Sequence, residues 1–100
     1  MNRIASCFLC GRRAVHLHHC VYEQHCRAHA TDDRNLVPVC KRCHERHHTR
    51  THVFALGLLP DSVYEFAAEV LGTGPAYEYL GRYYQGSDRR REALLGKEAA

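Results

Sequence analysis

Cysteine and histidine are the residues of this chain whose types and spacing could do chemistry. The 100 residues include six cysteines and nine histidines, and all of them precede Val53. The first eleven residues lack the apolar stretch of about 7–15 residues that a signal peptide needs. We therefore expect an intracellular, cytoplasmic protein whose thiols stay reduced. Because thiolate and neutral imidazole are both metal ligands, this composition predicts metal binding in the first half of the chain.

Four of the cysteines form two CxxC pairs, Cys7 with Cys10 and Cys40 with Cys43, separated by 29 residues. Structural zinc takes four ligands in a tetrahedron, and thiolate is its usual ligand. Two CxxC turns can therefore clamp distant segments of the chain on one Zn²⁺. Gly11 follows the first pair and could supply the tight turn that such a zinc knuckle needs.

Other uses of the cysteines are a redox-active CxxC and a disulfide. A thioredoxin-like redox site would need a βαβ context and a single CxxC motif, whereas this chain has two CxxC motifs. The two remaining cysteines, Cys20 and Cys26, are interpreted as buried thiols rather than as ligands.

The histidines form two groups that suit a second metal ion. His18 and His19 lie in an alternating stretch typical of a strand, whose neighbouring side chains point to opposite sides. One of them could then bind a metal while the other faces a substrate. His44 and His48 are four residues apart in a predicted helix and share one face. Cys43 lies about 100° around that helix from His44, so one helix could serve two metal sites.

In this order along the chain, the motifs resemble those of the HNH, or ββα-metal, endonucleases. The resemblance covers about residues 7–52 and is carried by CxxC, paired His, Asn-Leu-Val-Pro, CxxC and a directly following His: Cys7, Cys10, His18, His19, Asn35, Cys40, Cys43 and His44. It implies a small, zinc-stabilised α+β domain. A ββα-metal core, made of a hairpin and a helix that grip one divalent ion, would be bracketed by the two zinc knuckles.

The resemblance also implies a role for each matching residue. His19 would be the general base that activates water, and Asn35 would orient the loop and the base and could approach the metal. His18 and His44 would bind a catalytic divalent cation. His48 would be a third ligand if the HxxxH variant of some family members applies to this chain; otherwise His44 would be the only ligand from this helix and waters would complete the shell. Imidazole-rich ligation favours Mn²⁺, Ni²⁺ or Zn²⁺ over Mg²⁺, but the sequence leaves the ion open. The other histidines are interpreted as structural or surface groups: His16, His25, His29, His47 and His52.

Positive charge is concentrated in the same half as the metal ligands. Residues 1–52 carry a net charge of +5, from nine Lys and Arg against four Asp and Glu, and residues 53–100 carry −2, from five against seven. Arg42, Arg46 and Arg50 are spaced four apart, which predicts a basic helix edge that contacts nucleic-acid phosphates. Solvated side chains are the alternative. Double-stranded DNA as the substrate rests on the resemblance.

The second half of the chain predicts helices. Ser62 and Glu65 fit a capping box, an apolar stripe follows, and Gly72 is a natural end. The stripe contains Val63, Phe66, Ala67, Val70 and Leu71. The segment 73–75 (Thr-Gly-Pro) is interpreted as a break before a second helical stripe, made of Tyr77, Leu80 and Tyr84. From Ser87 onward we expect a short helix or a frayed tail.

We divide the chain into an HNH nuclease core with structural zinc at 1–52 and a helical extension at 53–100. The extension is expected to pack on the core or to mediate a homodimer through the tyrosines Tyr77, Tyr79, Tyr83 and Tyr84. No apolar run approaches the roughly 18 residues of a membrane span.

The leading hypothesis is a metal-dependent DNA endonuclease, acting alone, as a homodimer or with a larger DNA-processing partner. A catalytically inactive zinc module that docks on nucleic acid or protein is the alternative from a different class, and a thiol redox protein is a third. A zinc module needs four cysteines but has no use for His18, His19, Asn35 and His44 together.

Overall fold

In the part of the chain that the structure describes, two short strands and three α-helices follow one another in the order ββααα. The computed structural model describes residues 6–22, 29 and 32–96. The strands are β1, His16–His19, and β2, Leu36–Val39. The helices are α1, Lys41–His48, α2, Asp61–Leu71, and α3, Thr73–Tyr83. A small α+β fold is thereby confirmed.

Strands β1 and β2 pair antiparallel, with His18 opposite Val37 and His16 opposite Val39. Val37 and Val39 are buried and alternate with half-buried neighbours, as the period of a strand requires. In β1 the buried position is His18, so an imidazole lies where a one-sided sheet normally buries an apolar side chain. The short sheet therefore brings a histidine to the interior, facing α1.

The first CxxC pair lies in a turn, and the second lies at the N-terminus of α1. The Gly11 amide donates to the Cys7 carbonyl at 3.0 Å, and Gly11 has a φ of 77°, so the predicted glycine turn is confirmed. Cys40 is the N-cap of α1, where its sulfur accepts from the Cys43 amide at 3.4 Å. The Phe8 amide donates to the Pro38 carbonyl at 2.9 Å and ties the first turn to β2.

Helix α2 ends at Gly72, as predicted, with a φ of 91°, but the predicted capping box is wrong. The N-cap is Pro60, which has no side-chain acceptor, and Ser62 lies inside the first turn. The Ser62 hydroxyl donates to the Arg34 carbonyl at 3.4 Å.

The predicted break at residues 73–75 is also wrong, because these residues form the first turn of α3. Proline is tolerated there, since the first amides of a helix have no intrahelical partner.

Backbone pairing returns the end of α3 to the segment that follows α1. The Leu56 amide donates to the Gln85 carbonyl at 2.9 Å, and the Gln85 amide donates to the Phe54 carbonyl at 3.0 Å. One apolar cluster contains residues from both halves of the chain, including Val37, Val39, Phe54, Leu56, Val63, Phe66, Leu80 and Leu95.

This packing turns Tyr84 and Tyr79 inward. Tyr79 and Tyr84 are buried in this core, so they are not available to the dimer surface predicted for them. Tyr77 and Tyr83 are half-buried.

The last described segment, Arg91–Gly96, is a short π-helical turn. Leu95 is buried and Leu94 is exposed, so the segment is anchored by one apolar side chain. Within residues 6–22, 29 and 32–96, we find no helix with the length and apolar character that a membrane crossing requires.

Candidate functional site

Helix α1 carries chemistry-bearing side chains on two sides. Successive residues are rotated by about 100° around a helix, so Cys43 and the pair His44 and His48 point in different directions. His47 lies between them and is fully buried. The helix therefore contributes to two separate clusters, as the spacing predicted.

The first cluster contains the sulfurs of Cys7, Cys10, Cys40 and Cys43, which all lie within 4.8 Å of one another. The cysteines are free thiols, and the sulfurs of Cys10 and Cys40 are 3.7 Å apart, far beyond a disulfide bond length. Tetrahedral zinc with Zn–S bonds of about 2.3 Å separates its sulfurs by about 3.8 Å. The four cysteines thus fit a structural metal such as zinc.

The thiols of this cluster do not ionise alike. Burial raises the pKa of Cys7, but hydrogen bonds from the backbone of Cys10, Cys40 and Leu9 outweigh it and lower that pKa to about 7. The Cys43 amide lowers the pKa of Cys40. Burial and the neighbouring sulfurs raise the pKa of Cys43 to about 12. Negative charge accumulates as these thiols ionise, which favours a bound cation.

The second cluster contains His18 from β1 and His44 and His48 from α1, each with a ring nitrogen within 4.8 Å of the others. The Nε2 atoms of His44 and His48 are 2.9 Å apart. His18 is buried, His44 is half-buried and His48 is exposed. These side chains line a cavity of about 280 Å³ together with Leu17, His19 and Tyr22.

The three imidazoles are held in their neutral form. Burial, reinforced by His47, His44 and His48, lowers the pKa of His18 to about 2. Burial also lowers the pKa of His44, and so does His48 beside it; burial lowers the pKa of His48 as well. A neutral imidazole keeps one lone pair for a metal ion. At neutral pH the cluster can therefore offer three nitrogen ligands without first losing protons.

His19 ends β1 and is half-buried. His19 lines the same cavity as the three-histidine cluster. His19 thus lies beside the cluster without belonging to it.

Asn35 holds the chain that leaves β1. It is fully buried, its Oδ1 accepts from the Val21 amide at 2.7 Å, and its Nδ2 donates to the Val21 carbonyl at 2.9 Å. Its own carbonyl accepts from the Cys20 amide at 2.9 Å. Asn35 is thus placed to fix the segment directly after His18 and His19.

His47 is a structural histidine, as the sequence interpretation had it. Its ring stacks on Phe54, with ring centroids 4.0 Å apart, and on Tyr84, at 5.2 Å. Its Nδ1 accepts from the Phe54 amide at 3.0 Å, and its Nε2 lies 3.1 Å from the Tyr22 hydroxyl. Sequence reasoning missed this stack, because Phe54 and Tyr84 carry no signal beyond helix and core patterning.

Tyr84 lies near the histidine cluster, and the sequence did not reveal this. Its hydroxyl lies 3.0 Å from Nε2 of His18 and donates to the Cys20 carbonyl at 2.5 Å. The two residues are 66 positions apart, and the sequence pattern assigned Tyr84 to a helical stripe. No local motif could have connected them.

Two of the three arginines that were predicted to form a basic helix edge lie in α1. Arg42 and Arg46 line a pocket of about 250 Å³ beside the cysteine cluster, and Arg12 joins them. The placement of Arg50 on this edge is wrong, because α1 ends at His48 and Arg50 has a φ of 64°. The Arg50 guanidinium instead donates to the carbonyls of Arg82 and Tyr83 at the end of α3.

Cys20 is a buried thiol, as predicted, and burial raises its pKa to about 12. His25 and Cys26 lie outside the described residues. His16, His29 and His52 are exposed.

A scan of this chain against models of protein families finds no match, and searches of curated proteins and of solved structures find none either.

Proposed function

We propose that this protein is a metal-dependent endonuclease of the HNH type that hydrolyses phosphodiester bonds of DNA. The observation that carries the proposal is the meeting of His18, His44 and His48 at one cavity beside His19. Two antiparallel strands followed by a helix supply these side chains, which is the element order that the HNH resemblance implies.

The two clusters suit different ions. Four thiolates are the ligand set of a permanent structural zinc, so Cys7, Cys10, Cys40 and Cys43 would hold Zn²⁺ and brace both ends of the core. His18, His44 and His48 would hold an exchangeable divalent ion and leave positions open for water and phosphate. When bound, that ion would supply positive charge that stabilises the phosphate and the departing oxygen.

His19 acts as the general base. A neutral imidazole can take a proton from water near neutral pH, and the resulting hydroxide attacks phosphorus. The bond from phosphorus to the leaving oxygen then breaks, and that oxygen takes a proton from solvent. Asn35 keeps the chain after His19 in place through its two hydrogen bonds to Val21.

Arg12, Arg42 and Arg46 bind the DNA backbone away from the scissile phosphate. They lie on the side of α1 that carries the cysteine cluster, whereas the histidine cavity lies on another side. Contacts of this kind position a duplex without reading its sequence. We therefore expect low sequence specificity unless a partner supplies recognition.

The test is nicking of supercoiled plasmid in the presence of Mg²⁺, Mn²⁺ or Ni²⁺. We expect His19→Ala to lower the nicking rate by about 10²–10⁴-fold, the usual contribution of general base catalysis. Zinc content, circular dichroism and divalent-ion affinity should stay at the wild-type values. His52→Ala is the matched control, because His52 is exposed and does not line the histidine cavity.

The zinc docking module predicts a different outcome. Wild-type protein would then leave plasmid unchanged with every ion while still retaining zinc and binding DNA or a protein partner. A parallel incubation with single-stranded RNA distinguishes the two kinds of nucleic-acid substrate.

A further inference from the structure

The Tyr84 hydroxyl lies in the interior of the protein between the imidazole of His18, in β1, and the carbonyl of Cys20, directly after β1. Tyr84 is 3 % exposed. Its oxygen lies 2.5 Å from the carbonyl oxygen of Cys20 and 3.0 Å from Nε2 of His18. The Cys20 thiol is also a neighbour of this hydroxyl.

Counting protons assigns the direction of both hydrogen bonds. A phenol has one proton, and a carbonyl oxygen can only accept, so Tyr84 donates its proton to Cys20. The Tyr84 oxygen must then accept from His18, which requires a proton on Nε2. In neutral imidazole one nitrogen carries the proton and the other carries the lone pair. The lone pair of His18 is therefore on Nδ1.

We infer that Tyr84 is a positioning residue that fixes the tautomer of His18 and presents its Nδ1 lone pair to a metal held with His44 and His48. Histidine ligands commonly donate their second ring N–H to a fixed acceptor, which orients the ring and selects the tautomer. Here a phenol oxygen takes that role. The inference rests on the metal site of the proposed function but is independent of DNA cleavage.

The surroundings of Tyr84 keep its hydroxyl in place. Its ring stacks on His47 with an interplanar angle of 23°, and His47 stacks in turn on Phe54. The Tyr84 amide donates to the Leu80 carbonyl at 3.1 Å, and the next residue, Gln85, pairs with the segment 54–56. Residues of the second half of the chain thereby determine the chemistry of a histidine in the first half.

The test is Tyr84→Phe, which keeps the ring and removes the hydroxyl. Long-range ¹H–¹⁵N correlation spectra of protein with zinc in the cysteine cluster alone report which ring nitrogen carries the proton. Wild-type His18 should be protonated on Nε2, and the variant should show the Nδ1–H form or a mixture. Titration with Ni²⁺ or Mn²⁺ should show affinity at the histidine cluster weakened by about 10–100-fold.

Tyr79→Phe is the matched control. It removes the hydroxyl of a buried tyrosine in α3, the helix that ends just before Tyr84. This hydroxyl accepts from the Tyr22 amide at 2.8 Å, so its loss also weakens the core. In this variant, His18 should keep its wild-type tautomer, and the protein should keep its wild-type Ni²⁺ affinity. A purely structural role of Tyr84 would make both variants behave alike.

The failures are distinguishable. This inference is wrong if His18 is protonated on Nδ1 in the wild type. It is also wrong if Tyr84→Phe leaves the tautomer of His18 and the Ni²⁺ affinity unchanged while His44→Ala abolishes Ni²⁺ binding. In either case the proposed metal site stands. If wild-type protein binds no ion beyond its zinc, the proposed function fails, and the metal-presenting role of Tyr84 fails with it.

Discussion

The two sides of helix α1 hold clusters of different electrostatic character: one gains negative charge as its thiols ionise, and the other is neutral. On one side, Cys43 meets three other sulfurs from two turns of the chain. Every sulfur that ionises there adds negative charge, and burial with the neighbouring sulfurs raises the pKa of Cys43 to about 12. On the other side, His44 and His48 meet His18 as neutral imidazoles, because burial lowers their pKa values.

Because of this difference, we expect the cysteine cluster to need its ion for folding and the histidine cluster to tolerate the loss of its ion. Without a cation the sulfurs of this cluster cannot all ionise close together, and the binding free energy of structural zinc is also folding free energy, so we expect zinc removal to unfold the domain. Three neutral imidazoles carry no net charge to be compensated. Removal of a divalent ion from the histidine side should leave the fold intact.

The largest effect is expected from Cys40→Ser. Structural zinc contributes on the order of 10–16 kcal/mol, which equals or exceeds the total stability of about 5–15 kcal/mol of a typical domain. The variant should lose its zinc and its cooperative unfolding transition, measured by elemental analysis and circular dichroism. Cys20→Ala, which removes a buried thiol outside the cluster, should retain one zinc per chain. A zinc-free Cys40→Ser protein with the wild-type melting temperature would break the comparison.

A smaller and more selective effect is expected from His44→Ala. Loss of an inner ligand should weaken Ni²⁺ binding at the histidine cluster by at least about 100-fold, since outer partners of metal ligands alone account for 10–100-fold. Zinc content and melting temperature should change little, because His44 is only half-buried. Calorimetric titration and thermal unfolding measure the two quantities. If the variant unfolds as Cys40→Ser does, the two sides of α1 do not differ as described.

The smallest effects are expected from the arginines. Arg42→Ala and Arg46→Ala should each weaken DNA binding and reduce the salt slope of log K by about 0.9 if one phosphate contact is lost. Arg50→Ala is the matched control, because Arg50 contacts carbonyls at the end of α3. It should leave the slope unchanged and cost at most about 1 kcal/mol of stability. Fluorescence anisotropy in a His19→Ala background measures binding without cleavage, and equal slopes in all three variants would contradict the assignment.

The elements that the sequence predicted best are those determined by local spacing. Gly11 and Gly72 have the positive φ angles that their turn and helix end require. The sequence placed His18 in a strand, and placed Cys43 and His44 in a helix that serves two clusters; both placements follow from the side-chain periods of strand and helix.

Two of the predictions that failed depended on partners distant in the chain. Ser62 matches a capping box, yet its hydroxyl donates to Arg34 and the helix begins at Asp61. Arg50 has the spacing of a helix edge, but α1 ends two residues earlier. In both cases the sequence pattern was present. Packing against another segment, however, decided which backbone carbonyl accepts a hydrogen bond from the side chain.

The amino-acid sequence by itself determined the ligand types of this protein and their angular separation on one helix, because both are properties of residues a few positions apart. Only the tertiary structure decided which residues form hydrogen bonds with those ligands. Tyr84 reaches His18 because the segment 54–56 pairs with Gln85 and returns the end of α3 to the sheet. A hydrogen bond depends on a few tenths of an ångström, and across 66 residues that distance is set by the packing of the whole core.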